Sequence, residues 1–195
     1  MIDSPEGKYI LTRLRYELPG HFHYHNIDHT LDVYHSAEAI AIQEYIDGET
    51  TRLLLIAALY HDSGYLKQIS EHEKASCAIA REALVDFGYT AAEIDAVCSI
   101  IMATQLPQQP KTLPEQIICD ADLDYLGRTD FITTGNRLFE EMKALGSIGT
   151  IDDWNKLQVD FLKTHHYFTK TAVENREPKK QENLRALQNK TFSLK

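Results

Sequence analysis

Three stretches of this chain hold the residue types that bind divalent cations. They are Tyr24-His25-Asn26-Ile27-Asp28-His29-Thr30, the doublet His61-Asp62, and Asp120-Ala121-Asp122-Leu123. Neutral imidazole and carboxylate suit zinc, manganese, iron, cobalt or magnesium, and a site built from them leaves positions open for water and substrate. The chemistry expected of such a set is metal-assisted hydrolysis.

Helical spacing separates the three aspartates at 120, 122 and 124. Residues three and four apart share a face. For Asp122 these are Ile118, Cys119, Tyr125 and Leu126, all apolar or aromatic, whereas Asp120 meets Gln116 and Asp124, and Asp124 meets Asp120 and Arg128. Asp122 is therefore the one expected to point into the core, where a carboxylate is costly unless it is paired or holds a cation. His29 heads an apolar stripe through Val33, Ala37 and Ile40, and His61 closes the apolar run Leu53 to Leu59 ahead of a chain break at Gly64.

The elements that must position these groups read as helices, with few strand signals. Thr90-Ala91-Ala92-Glu93 and Ser70-Glu71-His72-Glu73 have the form of capping boxes. The segment from Ser70 is expected to end at Gly88, and Pro114 to open a run through Leu126 that stops at Gly127. Further helices are expected near 5–18, 30–46, 51–61, 130–145, 151–167 and 179–190, joined by loops too short to be linkers. The chain reads as one all-α domain over 1–195, a bundle of about eight or nine helices. Its core would span about 18–180, with 181–195 as a peripheral helix or tail.

Composition narrows the partners. Lys and Arg number 20 against 29 Asp and Glu, a formal net charge of −9, and such a surface disfavours a grip on DNA or RNA through phosphate neutralisation. A small phosphorylated ligand drawn to a metal pocket stays compatible with that charge. Cys77, Cys98 and Cys119 are odd in number, far apart and set among apolar residues, the pattern of buried reduced thiols in a cytoplasmic protein. Neither a signal peptide nor a membrane span is expected, since the longest apolar run is Leu53 to Tyr60. A homo-oligomer is left open.

The order of the motifs, histidine, His-Asp, then a late aspartate, resembles the HD superfamily of metal-dependent phosphohydrolases over about Leu18 to Lys180. The resemblance implies a helical HD-type bundle with His29, His61, Asp62 and Asp122 as ligands of a divalent metal. The first motif, Tyr24-His25-Asn26-x-x-His29, is similar to the signature of cyclic nucleotide phosphodiesterases, and by that similarity His25 would protonate the leaving oxygen. The chain departs from those enzymes in two ways. It lacks a further histidine shortly after the HD pair, and no glutamine can be placed as the one that grips their base. One tightly bound metal is therefore expected rather than two.

Weaker candidates complete the set. Asp62 or Glu73 would orient or deprotonate water. Asn26, His72 and His165 would support the ligands, and Lys67, Arg128 and Arg176 are cations to test for substrate phosphate. His21, His23, His35 and His166 read as structural or surface residues. The function expected is hydrolysis of a nucleotide-like phosphoester. A cyclic mononucleotide is the first choice and a nucleoside monophosphate the second, with a non-catalytic metal-binding module as the alternative from another class.

Overall fold

Side-chain caps set most of the helix starts. Ser4 accepts from the Gly7 amide ahead of α1 (Pro5–Glu17), Asn26 from Asp28 and His29 ahead of α2 (Ile27–Gln43), and Asp47 from Glu49 and Thr50 ahead of α3 (Gly48–Tyr60). The expected box at Ser70 does not form. Glu71 takes left-handed backbone with φ 55°, and α4 (His72–Asp86) begins without a side-chain cap. Close packing of Gly64 on the His72 carbonyl and the Ser76 amide overrides the local capping signal.

Thr90 and Glu93 do close a capping box at α5 (Ala91–Ala103), as do Thr112 and Glu115 at α6 (Leu113–Asp122), with Pro114 in its first turn. The run expected through Leu126 breaks early. The α-helix stops at Asp122, and a 3₁₀ turn, Asp124–Gly127, follows. Next come α7 (Phe131–Ala144), α8 (Ile151–Thr164) and α9 (Lys170–Phe192). A first 3₁₀ turn, Ser63–Leu66, lies between α3 and α4. The computed structural model describes residues 1–192, and among these the regular structure is helical, with nine α-helices and no strand.

Two apolar clusters organise these helices. The larger joins α1 to α6 around α3, whose Leu54, Ile56, Leu59 and Tyr60 are fully enclosed with Leu84, Ile101 and Ile117. Each such side chain contributes about 1.5–3 kcal/mol by leaving water. The smaller joins Tyr24, Leu123, Tyr125, Leu126 and Phe131 to Val159 and Leu162 of α8 and to Leu184 and Leu187 of α9. The segment from 181 is thus not peripheral where it is described: Leu184 and Leu187 anchor α9, which begins at Lys170 and carries Pro178 in its interior. Residues 193–195 of the expected tail lie outside the described residues. No helix among the described residues is long and apolar enough to cross a membrane.

Candidate metal centre

Helix ends converge at one point. Asn26 fixes the start of α2 by accepting from the amides of Asp28 (2.9 Å) and His29 (3.4 Å), while its amide nitrogen donates to the Phe22 and His23 carbonyls. His61 caps the end of α3, and its Nδ1–H donates to the Ala58 carbonyl at 2.8 Å. That bond sets the tautomer and leaves Nε2 as a lone pair. Ser76 holds the chain just beyond, donating through Oγ to the His61 carbonyl and accepting from the Gly64 amide. Asp122 comes from the last residue of α6.

The four ligand candidates meet closely. His29 Nε2 lies 3.1 Å from Asp122 Oδ1 and 3.4 Å from Asp62 Oδ2. His61 Nε2 lies 3.2 Å from Asp62 Oδ2 and 3.6 Å from Asp122 Oδ1. His61 Nε2 and Asp62 Oδ2 are both buried without a hydrogen-bond partner. Orphaned buried polar atoms are costly, and two that face one another with lone pairs call for a shared cation. Ligand atoms of His29, His61 and Asp122 all lie within 4.8 Å of one another and could hold a metal ion.

The electrostatics agree. Burial opposes charging of His29, yet its hydrogen bond to Asp122 and the facing Asp62 carboxylate carry it up to about 9. His61 is likewise raised despite burial, chiefly by the charge of Asp62. Burial would push both carboxylates up, but Asp62 and Asp122 are held below the usual carboxylate range by the facing imidazoles. The cluster stabilises positive charge at its centre, as a cation site must.

The reason Asp122 is the one that reaches the histidines is not its apolar face. Asp120 and Asp124 are more deeply buried than Asp122. Asp120 accepts from the Phe168 and Thr169 amides and the Thr169 hydroxyl, and Asp124 takes Arg176 Nε at 2.7 Å and Arg128 Nη1 at 3.5 Å. The α-helix ends at Asp122, so the three and four residue spacing fails beyond it, and each aspartate turns to a different partner.

Around this cluster the rings of His25, Tyr65 and His72 form a stack, with centroids 4.4 Å apart for the first pair and 4.2 Å for the second. His72 Nε2 lies 3.4 Å from Asp62 Oδ1 and 3.6 Å from Glu73 Oε1. His25 Nδ1 is bonded to Glu141 Oε1, while Glu141 Oε2 accepts from the backbone amides of Tyr24 (2.8 Å) and His25 (3.0 Å). Burial resists ionisation of Glu141, and the His25 bond nevertheless holds it below the usual carboxylate range. Sequence reasoning missed Glu141. Its only signal is an acidic residue at a core-facing helical position, next to an exposed Glu140.

His25, Asp62, Tyr65, His72, Glu73, Asp122 and Glu141 open on one cavity of about 580 Å³. His25, Asp62, His72, Glu73 and Asp122 line one end, and Phe131, Leu138, Met142, Trp154, Gln158 and Phe161 of α7 and α8 are among those lining the rest. Not every residue singled out from the sequence comes here. Lys67 is exposed beyond the first 3₁₀ turn, and His165 sits at the end of α8, its Nδ1 3.3 Å from Lys180 Nζ. Arg128 and Arg176 line a separate, open depression with Asp32, Asp130 and Lys179. They are held there by Asp124, with Arg128 also on Asp32 (2.7 Å) and Asp130 (3.0 Å). Cys77, Cys98 and Cys119 are buried free thiols.

The HD domain model matches residues 26–124, from the cap of α2 to just past Asp122. The chain belongs to the HD domain family. HD domains bind divalent metals, and membership supports a metal-dependent hydrolase. The HD fold also extends over the whole chain. A crystal structure of a predicted HD superfamily hydrolase from an uncultured Thermotogales bacterium superposes with a TM-score of 0.66 at 22% identity, covering 100% of this chain and 97% of that one. No curated protein matches the sequence. The HD match holds all four ligand candidates, while His25, Glu141 and the walls from α7 and α8 lie outside it.

Proposed function

We propose that this HD protein hydrolyses a phosphoester of a nucleotide-like substrate, with His25 as the general acid. His29, His61, Asp62 and Asp122 would hold the divalent ion. Bound there, such an ion lowers the pKa of a coordinated water and offsets charge on the phosphoryl oxygens. The observation that carries the reading is the His25–Glu141 pair at the edge of the ligand cluster. Glu141 occupies Nδ1, so the free Nε2 is the atom available to deliver a proton to a departing oxygen. The buried Glu141 carboxylate holds the ring by Nδ1 and so fixes the direction in which Nε2 points.

Asp62 and Glu73 would orient water, a role supported by both being buried and both lining the cavity. Gln158 and Phe161 supply a carboxamide and an aromatic ring on the α8 wall, chemistry that suits a nucleobase. Gln158 Oε1 rests over Gly135, where a β-carbon would come to 2.8 Å, so a larger residue at 135 would displace the amide.

The test is turnover by protein reconstituted with manganese, magnesium or zinc. Substrates are cyclic nucleotides, nucleoside monophosphates and an aryl phosphodiester, with Asp62→Ala as control. Turnover that disappears in Asp62→Ala is expected. Activity surviving in that variant, or full metal occupancy with no turnover of any phosphoester, overturns the proposal.

A further inference from the structure

The charge lining the cavity limits what can enter it. Five carboxylates line it: Asp62, Glu71, Glu73, Asp122 and Glu141, while no lysine or arginine appears among the described lining residues. Glu71 is paired with Lys74 and Glu141 with His25, which leaves Asp62, Glu73 and Asp122 at the reacting end with a single further histidine of the lining, His72, 3.4 Å from Asp62 and 3.6 Å from Glu73. A divalent ion offsets two of these charges and has capacity for one phosphoryl group close by. A second phosphate would meet carboxylates with no lysine or arginine beside them to offset it, and like charge in a low-dielectric cavity is strongly unfavourable.

The other end is built for a body without charge. Leu123, Leu126, Phe131, Leu138, Met142 and Leu162 line it. Its polar groups include the Gln158 carboxamide and the Trp154 indole, both neutral, and Trp154 Nε1 is buried without a partner. The volume lies in the range that encloses a whole small molecule rather than a phosphate alone.

We propose that the substrate carries a single phosphoryl group on an uncharged body whose larger part is an aromatic or apolar ring system, as a nucleobase is, and that any further phosphate or carboxylate excludes a compound from the site. The proposal rests on the phosphoester reading above and specifies its substrate class. Binding energy comes from burial of the body against α7 and α8, and charge acts as the filter.

Two measurements test it. In the first, metal-reconstituted protein is assayed on ribose 5-phosphate, adenosine monophosphate, 1-naphthyl phosphate, adenosine diphosphate and adenosine triphosphate. Cyclic adenosine monophosphate and bis(4-nitrophenyl) phosphate represent the diesters. Among the monoesters, kcat/KM is expected to be at least tenfold higher for 1-naphthyl phosphate than for ribose 5-phosphate. It is expected to be at least 100-fold lower for the di- and triphosphate than for the monophosphate. Equal rates on the naphthyl and ribose esters, or a diphosphate within threefold of the monophosphate, overturn the proposal.

The second measurement needs no turnover. Trp154 is the single tryptophan of the chain and lines the cavity, so its emission reports occupancy directly. Benzylphosphonate is expected to shift that emission, and pyrophosphate and ribose 5-phosphate to leave it unchanged. The reverse order overturns the proposal even if no phosphoester is hydrolysed, an outcome that by itself sinks only the reaction. Leu157→Lys, at an exposed lining position, is expected to improve the diphosphate at least tenfold relative to the monophosphate. No change in that ratio in a folded, metal-binding variant removes the charge argument.

Discussion

Glu141 and His25 lie 116 residues apart in the chain, yet one carboxylate serves both the ring and the backbone of the His25 turn. It bonds Nδ1 through one oxygen and the Tyr24 and His25 amides through the other. The same group therefore sets the position of the imidazole and of the backbone that carries it. Glu141→Gln keeps the amide bonds and removes the charge. It is expected to lower kcat by about 10²-fold, within the range that positioned proton transfer contributes, with metal content unchanged. Metal analysis beside steady-state kinetics checks both halves; loss of metal would make His25 part of the metal site instead.

Metal addition is expected to raise the thermal midpoint, because an ion that binds only the folded state stabilises it. The gain is about 2.7 kcal/mol at a free metal concentration of 100 times Kd. Asp122→Ala removes a carboxylate that lies 3.1 Å from His29 and 3.6 Å from His61. The variant should melt at the same temperature with and without manganese or zinc, as read by scanning calorimetry.

Gly64→Ala tests how the His61-Asp62 turn is seated. A β-carbon at 64 would lie 1.9 Å from the His72 carbonyl oxygen and 2.9 Å from the Ser76 amide nitrogen. Both are backbone atoms of α4 and cannot swing away. A loss of at least ~3 kcal/mol in urea unfolding is expected, accompanied by weakened metal binding as the turn shifts. A neutral effect would show that α4 is free to move.

His165 gives a pH dependence whose sign follows from its surroundings. Burial and the nearby Lys180 lower it from 6.5 to about 3, so the folded protein keeps the ring neutral. The unfolded chain takes up a proton below pH 6.5 and the folded chain does not. The stabilising contribution is thus complete above pH 6.5 and is lost as pH falls from there toward 3. His165→Asn should narrow the gap between urea midpoints measured at pH 7.5 and pH 5. Comparison with the parent at each pH isolates this group from His29, whose raised value acts in the opposite direction.

The helices and the ligands differ in how they could be read. The capping box at Thr90 is local, and it forms as its residues indicate. The box at Ser70 is equally local in appearance but yields to the Gly64–α4 contact, a long-range term invisible in the segment itself. His29 and His61 are legible only in combination: a lone histidine heading an apolar stripe or closing an apolar run is more often a hydrogen-bonded core residue, but two of them with Asp62 and a core-facing Asp122, in the HD order, point to a metal. Asp122 was singled out by extending helical spacing across a break, so the choice matched the geometry while its argument did not. Glu141 and the α7–α8 wall could not be found from spacing. Their partners are set by tertiary packing of helices far apart in the chain.

The aspartates at 120, 122 and 124 tie one short stretch to three separate parts of the molecule: the Phe168–Thr169 turn, the two histidines and the arginines. Chain length is consequently not negotiable there. A single inserted or deleted residue between 120 and 124 would put every later carboxylate out of reach of its partner at once. The loops at 105–112 and 145–150 carry no such ties to the histidines, so changes in loop length, and with them a new shape for the cavity mouth, can accumulate there without touching the metal centre.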